Sequence, residues 1–229
     1  RAFQIAGIVG TLDSTSSTPY TPPPGVVDAP ENRQTGLEQN VIQINERSLR
    51  LLAGGATPSR PDTGAGVGIP RNHRAEAYFR FPEGQKNFMG YRELRVWARG
   101  NGKGWATIPG DTSELQFFIK IARDPENFYM FRRSILSGTT QAAWTDVAVR
   151  FDRFYRLRAA VQNDFIQGNA SFRKPADASF ACSAADRALL GVTDTTQVRT
   201  RLGFWACLES PEDGGTYVLY TREPNTSAP

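Results

Sequence analysis

Apolar and polar residues alternate most regularly between Leu115 and Leu136. Leu115, Phe117, Ile119 and Ile121 fall on one face, and Gln116, Phe118, Lys120 and Ala122 on the other. That period of two is the mark of a strand with one apolar face. Asp124-Pro125-Glu126-Asn127 then supplies turn chemistry, because proline presets φ and the Asp and Asn side chains bond nearby backbone. Phe128 to Leu136 returns as a second strand rich in aromatic and branched residues. A lone hairpin is marginal in water, so the rest of the chain is expected to cover its apolar face.

The same alternation predicts further strands. Arg74 to Phe81 sets Ala75, Ala77, Phe79 and Phe81 against Arg74, Glu76, Tyr78 and Arg80. Tyr91 to Ala98 sets Leu94, Val96 and Ala98 against Glu93, Arg95 and Trp97. Val147, Val149 and Phe151 are in phase, and Leu202 to Leu208 and Thr216 to Thr221 close the chain as strands. Phe3 to Leu12 reads as a first strand, and Glu38 to Ala53 as two strand pieces with a bend at Asn45-Glu46. From Arg153 to Gln167 the period becomes helical: Phe154, Leu157, Val161 and Phe165 recur at spacings of three and four. Asp152 is placed to cap this helix and Gly168 to end it. Ser183 and Asp186 have capping-box spacing for a short second helix ending before Gly191.

Short strands separated by Gly- and Pro-rich loops, with one or two helices, predict a mainly β fold: an antiparallel β-sandwich, jelly-roll-like in the galactose-binding manner. Three prolines in a row at Pro22-Pro23-Pro24 favour an extended polyproline form. Residues 1–37 therefore read as a strand followed by a linker or arm, 38–225 as the sandwich, and 226–229 as a tail.

Composition narrows the functions. The 229 residues carry 27 basic and 23 acidic side chains, a net charge of +4 spread along the chain. Nucleic-acid binding calls for a concentrated basic stripe, and none is visible. Four of the 27 basic residues are lysine, Lys86, Lys103, Lys120 and Lys174, leaving 23 arginines. No apolar run approaches the ~20 residues of a transmembrane helix. The chain starts at Arg1 without a methionine or a signal-like core, which reads as a piece of something longer. Cys182 and Cys207 are the only cysteines, open to pairing as a disulfide or to burial as two thiols.

Catalytic chemistry finds little footing. His73 is the only histidine, so a Ser-His-Asp triad would have to use a loop residue and no His/Cys metal cluster can form. The paired acids that glycoside hydrolysis needs sit beside arginines, as in Arg92-Glu93 and Asp152-Arg153, which favours surface pairing. Gly100-Asn101-Gly102-Lys103-Gly104 lacks the spacing of a phosphate loop and reads as a flexible turn. Asp111, Asp124, Glu126 and Asn127 offer hard oxygen ligands for a structural calcium, without calcium-loop spacing; no other cofactor is expected.

The polar faces of the strands are more informative. Tyr78, Arg80, Arg95, Trp97, Phe118 and Lys120 all lie opposite the apolar rows. Were their strands neighbours, they would form one aromatic and cationic patch, suited to stacking sugars, to binding a protein, or to lying as core beneath the helix.

Several stretches are similar to the soluble modules of the SprA/Sov family, very large outer-membrane proteins of gliding motility and type nine secretion. They are INERSLR at 44–50, RAEAYFRFP at 74–82, NFMGYRELRVWARG at 87–100, DPENFY at 124–129, FDRFYRLR at 151–158 and GTYVLYTREP at 215–224. None is catalytic. The resemblance implies a β-rich periplasmic or surface-facing module of a secretion-associated envelope protein, at the periplasm, outer membrane or cell surface. Its partners would be other domains of that parent or secretion components. A carbohydrate-binding module using the six-residue face is the alternative reading, and a jelly-roll glycoside hydrolase or lyase the third.

Overall fold

The computed structural model describes residues 4–10, 20–26, 29–31, 42–44, 47–52, 74–82, 84, 86–88, 90–166, 178–189 and 203–222. The predicted hairpin is its organising element. Strands β6 (Phe117–Asp124) and β7 (Asn127–Arg133) pair antiparallel, with Asp124 opposite Asn127 across the Pro125-Glu126 turn. The Asp124 carboxylate accepts the Glu126 backbone N–H at 2.8 Å and the Asn127 amide at 2.9–3.0 Å. The Asn127 carbonyl oxygen in turn accepts from the Thr221 hydroxyl at 2.8 Å and the Arg222 N–H at 3.0 Å. Turn chemistry local in sequence is thereby tied to the far end of the chain.

Strands β9 (Phe204–Ser210) and β10 (Gly215–Thr221) form a second hairpin beside the first, giving one antiparallel sheet in the order β6-β7-β10-β9. Strands β5 (Glu93–Ala98) and β8 (Thr145–Arg150) form a separate antiparallel pair. Helix α1 (Phe151–Ile166) follows β8 directly and packs on β9 and β10.

Alternation along β7 and β10 feeds two cores. Tyr129, Phe131, Tyr217 and Leu219 point to one side, where Phe151, Phe154, Leu157 and Val161 of α1 and Ala98, Val147 and Val149 of the β5–β8 pair close over them. Phe128, Met130, Val218 and Tyr220 point to the other side, with Trp205 and Cys207, and with Phe118 and Cys182 packed against them. Each large side chain so buried contributes roughly 1.5–3 kcal/mol. Strands buried on both faces explain why the central segments are apolar at nearly every position.

The segment 178–189, containing helix α2 (Ala184–Leu189), bends around the β9 edge: Phe180 reaches the first core and Cys182 the second. The Ser183 hydroxyl accepts the Asp186 N–H at 3.2 Å, the predicted cap. Cys182 and Cys207 are joined as a disulfide.

The structure is thus mainly β, with antiparallel sheets sharing a core and two helices. The jelly-roll and galactose-binding-like refinement goes further than these ladders reach. At the N-terminal side, β1 (Gln4–Gly10) pairs with β4 (Arg47–Leu52), and β2 (Ala29–Glu31) with β3 (Ile42–Ile44), so both ladders cross the expected boundary at residue 37.

Two local expectations change and a third narrows. Residues 74–81 alternate but join no ladder; Phe79 meets Phe81 edge-on, Phe81 leans on Phe88, and Glu76 pairs with Lys120. Helix α1 starts at Phe151, two residues earlier than expected, so Asp152 lies inside the first turn. There it pairs with Arg150 at 3.2 Å and Arg153 at 3.4 Å, and its charge complements the helix N-terminus. Of the linker and the arm expected for the Pro-rich stretch, the described residues 20–26 suit the arm, with Pro23 buried. His73, Gly168, Gly191 and the 226–229 tail lie outside the described residues.

Candidate functional site

The six residues singled out by face fall into separate places. Arg95 and Trp97 lie on the outward face of the β5–β8 pair, where Arg95 forms an ion pair with Asp146 and half-buried Trp97 stands opposite it in register. The hydrogen bond and charge of Asp146 raise the Arg95 pKa. Phe118 and Lys120 belong to the other sheet, on the face carrying the second core. Lys120 lies 4.5 Å over the Phe128 ring and 3.3 Å from the Glu76 carboxylate, which also holds Arg74 at 2.6 Å. Tyr78 and Arg80 are exposed on the segment that Glu76 anchors, Tyr78 by 91%. The structure therefore brings Lys120 near the 74–80 segment and leaves Arg95 and Trp97 apart.

A different aromatic arrangement does form. Phe79 meets Phe81 edge-on at 5.5 Å, Phe81 meets Phe88 at 6.3 Å, and Phe88 meets Tyr91 at 6.2 Å. Phe88 stacks on Phe151 at 5.8 Å, and Phe151 touches buried Phe154 at 6.3 Å. The ridge runs from the core to the surface, where Phe79 is 76% and Tyr91 63% exposed. Alternation places Phe79 and Phe81 together on one face of an expected strand; the only sequence hint of a ridge is the crowding of aromatics at both phases of 78–91.

Buried polar groups cluster at the β8–α1 junction. The Tyr217 hydroxyl donates to Asp213 at 3.0 Å and accepts the Arg150 N–H at 3.0 Å. Asp213 also accepts from Ser210 at 2.7 Å and lies 3.5 Å from Arg153, which pairs with Glu212 as well. Burial, reinforced by the Asp213 charge, raises the Tyr217 pKa. Burial opposes charge on Arg153, but Asp152, Glu212 and Asp213 outweigh it and raise its pKa. These bonds link β8, β9, β10 and the start of α1, so the cluster braces the junction.

Three of the four oxygen ligands considered for calcium bond other groups: Asp124 with Asn127 and Arg123, Glu126 with Arg222 at 2.8 Å, and Asn127 with Thr221 and the Arg222 N–H. Among the described residues, no three or more His, Cys, Asp or Glu side chains gather as a metal site. Nor is any helix among them long and apolar enough to cross a membrane.

The last surface was invisible in the sequence. The turn Gln141–Ala143 presents Trp144, whose indole N–H donates to the Thr21 carbonyl at 2.7 Å, while the Gln141 amide donates to the Pro23 carbonyl at 3.3 Å. Tyr20 meets the Trp144 ring edge-on at 6.3 Å and Arg99 lies over it at 4.7 Å. Burial lowers the Arg99 pKa.

These features define a mainly β, antiparallel two-sheet protein whose distinctive surfaces are aromatic. No family model matches the chain, and neither a curated protein nor a solved structure matches it.

Proposed function

We propose that this chain is a non-enzymatic β-sandwich module of a secreted or outer-membrane-associated protein, with a structural and protein-contact role such as a secretion translocon requires. The observation that carries the reading is the ridge Phe79-Phe81-Phe88, exposed at one end and stacked on core Phe151 at the other. Rings held by a rigid core lose little entropy on docking, which makes such residues effective protein-binding anchors. The ridge lies within the 74–82 and 87–100 stretches that resemble the SprA/Sov modules. The Cys182–Cys207 disulfide supports an extracytoplasmic site. Separation of Arg95 and Trp97 from Phe118 and Lys120 favours this reading over the carbohydrate-binding one.

The test is a photo-crosslinking amino acid at Tyr78, introduced in cells carrying the native gene. The expected product is an adduct with a discrete envelope protein, lost when Phe79 and Phe81 are replaced by serine. Efficient incorporation without any protein adduct, or an adduct indifferent to those serines, would refute the proposal.

A further inference from the structure

Trp144 can donate a hydrogen bond but not accept one, so its half-buried N–H needs an acceptor. The acceptor is a carbonyl of a proline-rich segment. Residues 22, 23 and 24 are prolines and have no backbone N–H, so this stretch offers carbonyls without donating N–H groups; the Pro23 carbonyl is shared between Gln141 and the Val26 N–H. Two of its carbonyls, those of Thr21 and Pro23, are read by two side-chain donors of one short turn. Pro23 is the buried anchor, Pro22 is half-buried and Pro24 is exposed. The segment ends in a turn closed by Val26 N–H to the Pro23 carbonyl at 3.2 Å, with Gly25 at φ 77°.

The receiving side is built before any ligand arrives. Ala143 and Trp144 N–H groups donate to the Thr140 and Gln141 carbonyls, both at 3.2 Å, which fixes the turn. Gly138 passes so close that a Cβ there would sit 2.8 Å from the Ala143 Cβ. Arg99 donates to the Thr139 carbonyl at 3.1 Å and is thereby held over the indole. An aromatic platform with amide and indole donors spaced along an extended peptide is how polyproline segments are recognised generally.

We propose that the Thr139–Trp144 turn with Arg99 is a recognition site for an extended proline-rich peptide bearing an aromatic residue just ahead of its prolines, occupied here by the chain's own Tyr20–Pro24. A partner protein presenting such a segment competes with the arm for the site. The site deepens the protein-contact reading by naming a partner chemistry, but it is remote in sequence from the 78–91 ridge, and its failure leaves the Tyr78 crosslink untouched. Docking also reaches further, because the Tyr20 hydroxyl accepts from Ser48 on β4 at 2.7 Å, so release of the arm frees the β1–β4 ladder from this anchor.

The experiment follows the indole N–H resonance of Trp144 in the full ¹⁵N-labelled chain. A release variant carries Tyr20→Ala, Pro22→Gly and Pro23→Gly, and a synthetic peptide of residues 18–26 is added to it. A saturable shift of that resonance is expected, and Trp144→Phe in the same background is expected to weaken binding, read by tyrosine and arginine side-chain shifts, about fivefold or more. The peptide with glycine in place of Pro22 and Pro23 is expected not to bind. Wild type, whose own arm is present at an effective concentration on the order of millimolar, is expected to need at least about tenfold more peptide for the same shift. Should that release variant not fold, Pro23→Gly alone, which keeps Tyr20 and loosens the arm, takes its place as the release variant in both titrations. Absence of a saturable shift in the wild type at millimolar peptide and in a folded release variant, or equal affinity after Trp144→Phe, overturns the proposal.

Discussion

Arg132 and Asp186 form an ion pair at 2.5 Å that fastens α2 to the second face of the central sheet. Asp186 is 1% exposed and also accepts from the Ser183 hydroxyl at 2.6 Å. Removing one member of a buried pair strands the other charge, whereas replacing both with apolar groups avoids that cost. Asp186→Ala is therefore expected to destabilise by about 3–5 kcal/mol. Arg132→Met with Asp186→Leu is expected to cost far less. Urea midpoints of the three proteins decide this; equal losses in the single and double variants would show that packing, not the stranded guanidinium, sets the cost.

The disulfide acts on the same segment through a different mechanism. Cys182 and Cys207 are 25 residues apart, and closing such a loop stabilises by roughly 3 kcal/mol, chiefly by restricting the unfolded chain. Reduction, or Cys182→Ser with Cys207→Ser, is expected to lower the unfolding free energy by that amount, read as a fall in the urea midpoint. Trp205, packed in the same cluster as Cys207, is expected to shift its fluorescence to the red if the cover loosens. A reduced protein with unchanged midpoint would remove the disulfide from the list of stabilising contacts.

Much of this architecture was readable from the residues alone. The β6–β7 hairpin was legible because alternation and turn chemistry agree at Asp124-Pro125-Glu126-Asn127. The Ser183 cap was legible because its donor lies three residues away. What failed was non-local. Alternation shows which residues share a face within a strand, but not which sheet the strand joins, so whether β5 and β6 lie side by side stays open in the sequence; they pair with β8 and β7. Nor does it show whether a strand-like segment finds a partner, so the strand expected over 74–81 joins no ladder and leaves Phe79 and Phe81 exposed. The docking of Thr21 and Pro23 on Trp144 and Gln141 joins backbone carbonyls to side chains some 120 residues away, and carbonyls carry no residue signature.

Tyr217 should dominate the alkaline limit of stability. Its pKa is raised in the folded chain, first by burial and then by Asp213, so folding favours the protonated phenol. The contribution is fully present below the ordinary tyrosine value of 10.0 and is lost as pH rises above it toward the folded value. Tyr217→Phe keeps the ring but leaves the Arg150 N–H and Asp213 each short of one partner, an expected cost of about 1–3 kcal/mol at neutral pH. The variant's midpoint is expected to fall less steeply than wild type between neutral pH and the alkaline range. Parallel slopes would mean that other groups govern alkaline unfolding.

Asp124 works in the opposite direction at the hairpin turn. Burial penalises its carboxylate, but hydrogen bonds from Asn127 and the Glu126 backbone, with help from Arg123, outweigh that and lower its pKa. Stability from this turn is present above the usual value of 3.8 and is lost as pH falls toward the folded value. Asp124→Asn retains an acceptor without the charge, so its acid limb is expected to flatten relative to wild type while its neutral-pH stability changes little. An Asp124→Ala variant is expected to lose the turn bonds at every pH and, because Asn127 also holds Thr221 and Arg222, to loosen the end of β10. Amide hydrogen exchange at Arg222 reads that second effect directly: protection equal to wild type in Asp124→Ala would show that Asn127 holds the β10 end without the aspartate to orient it.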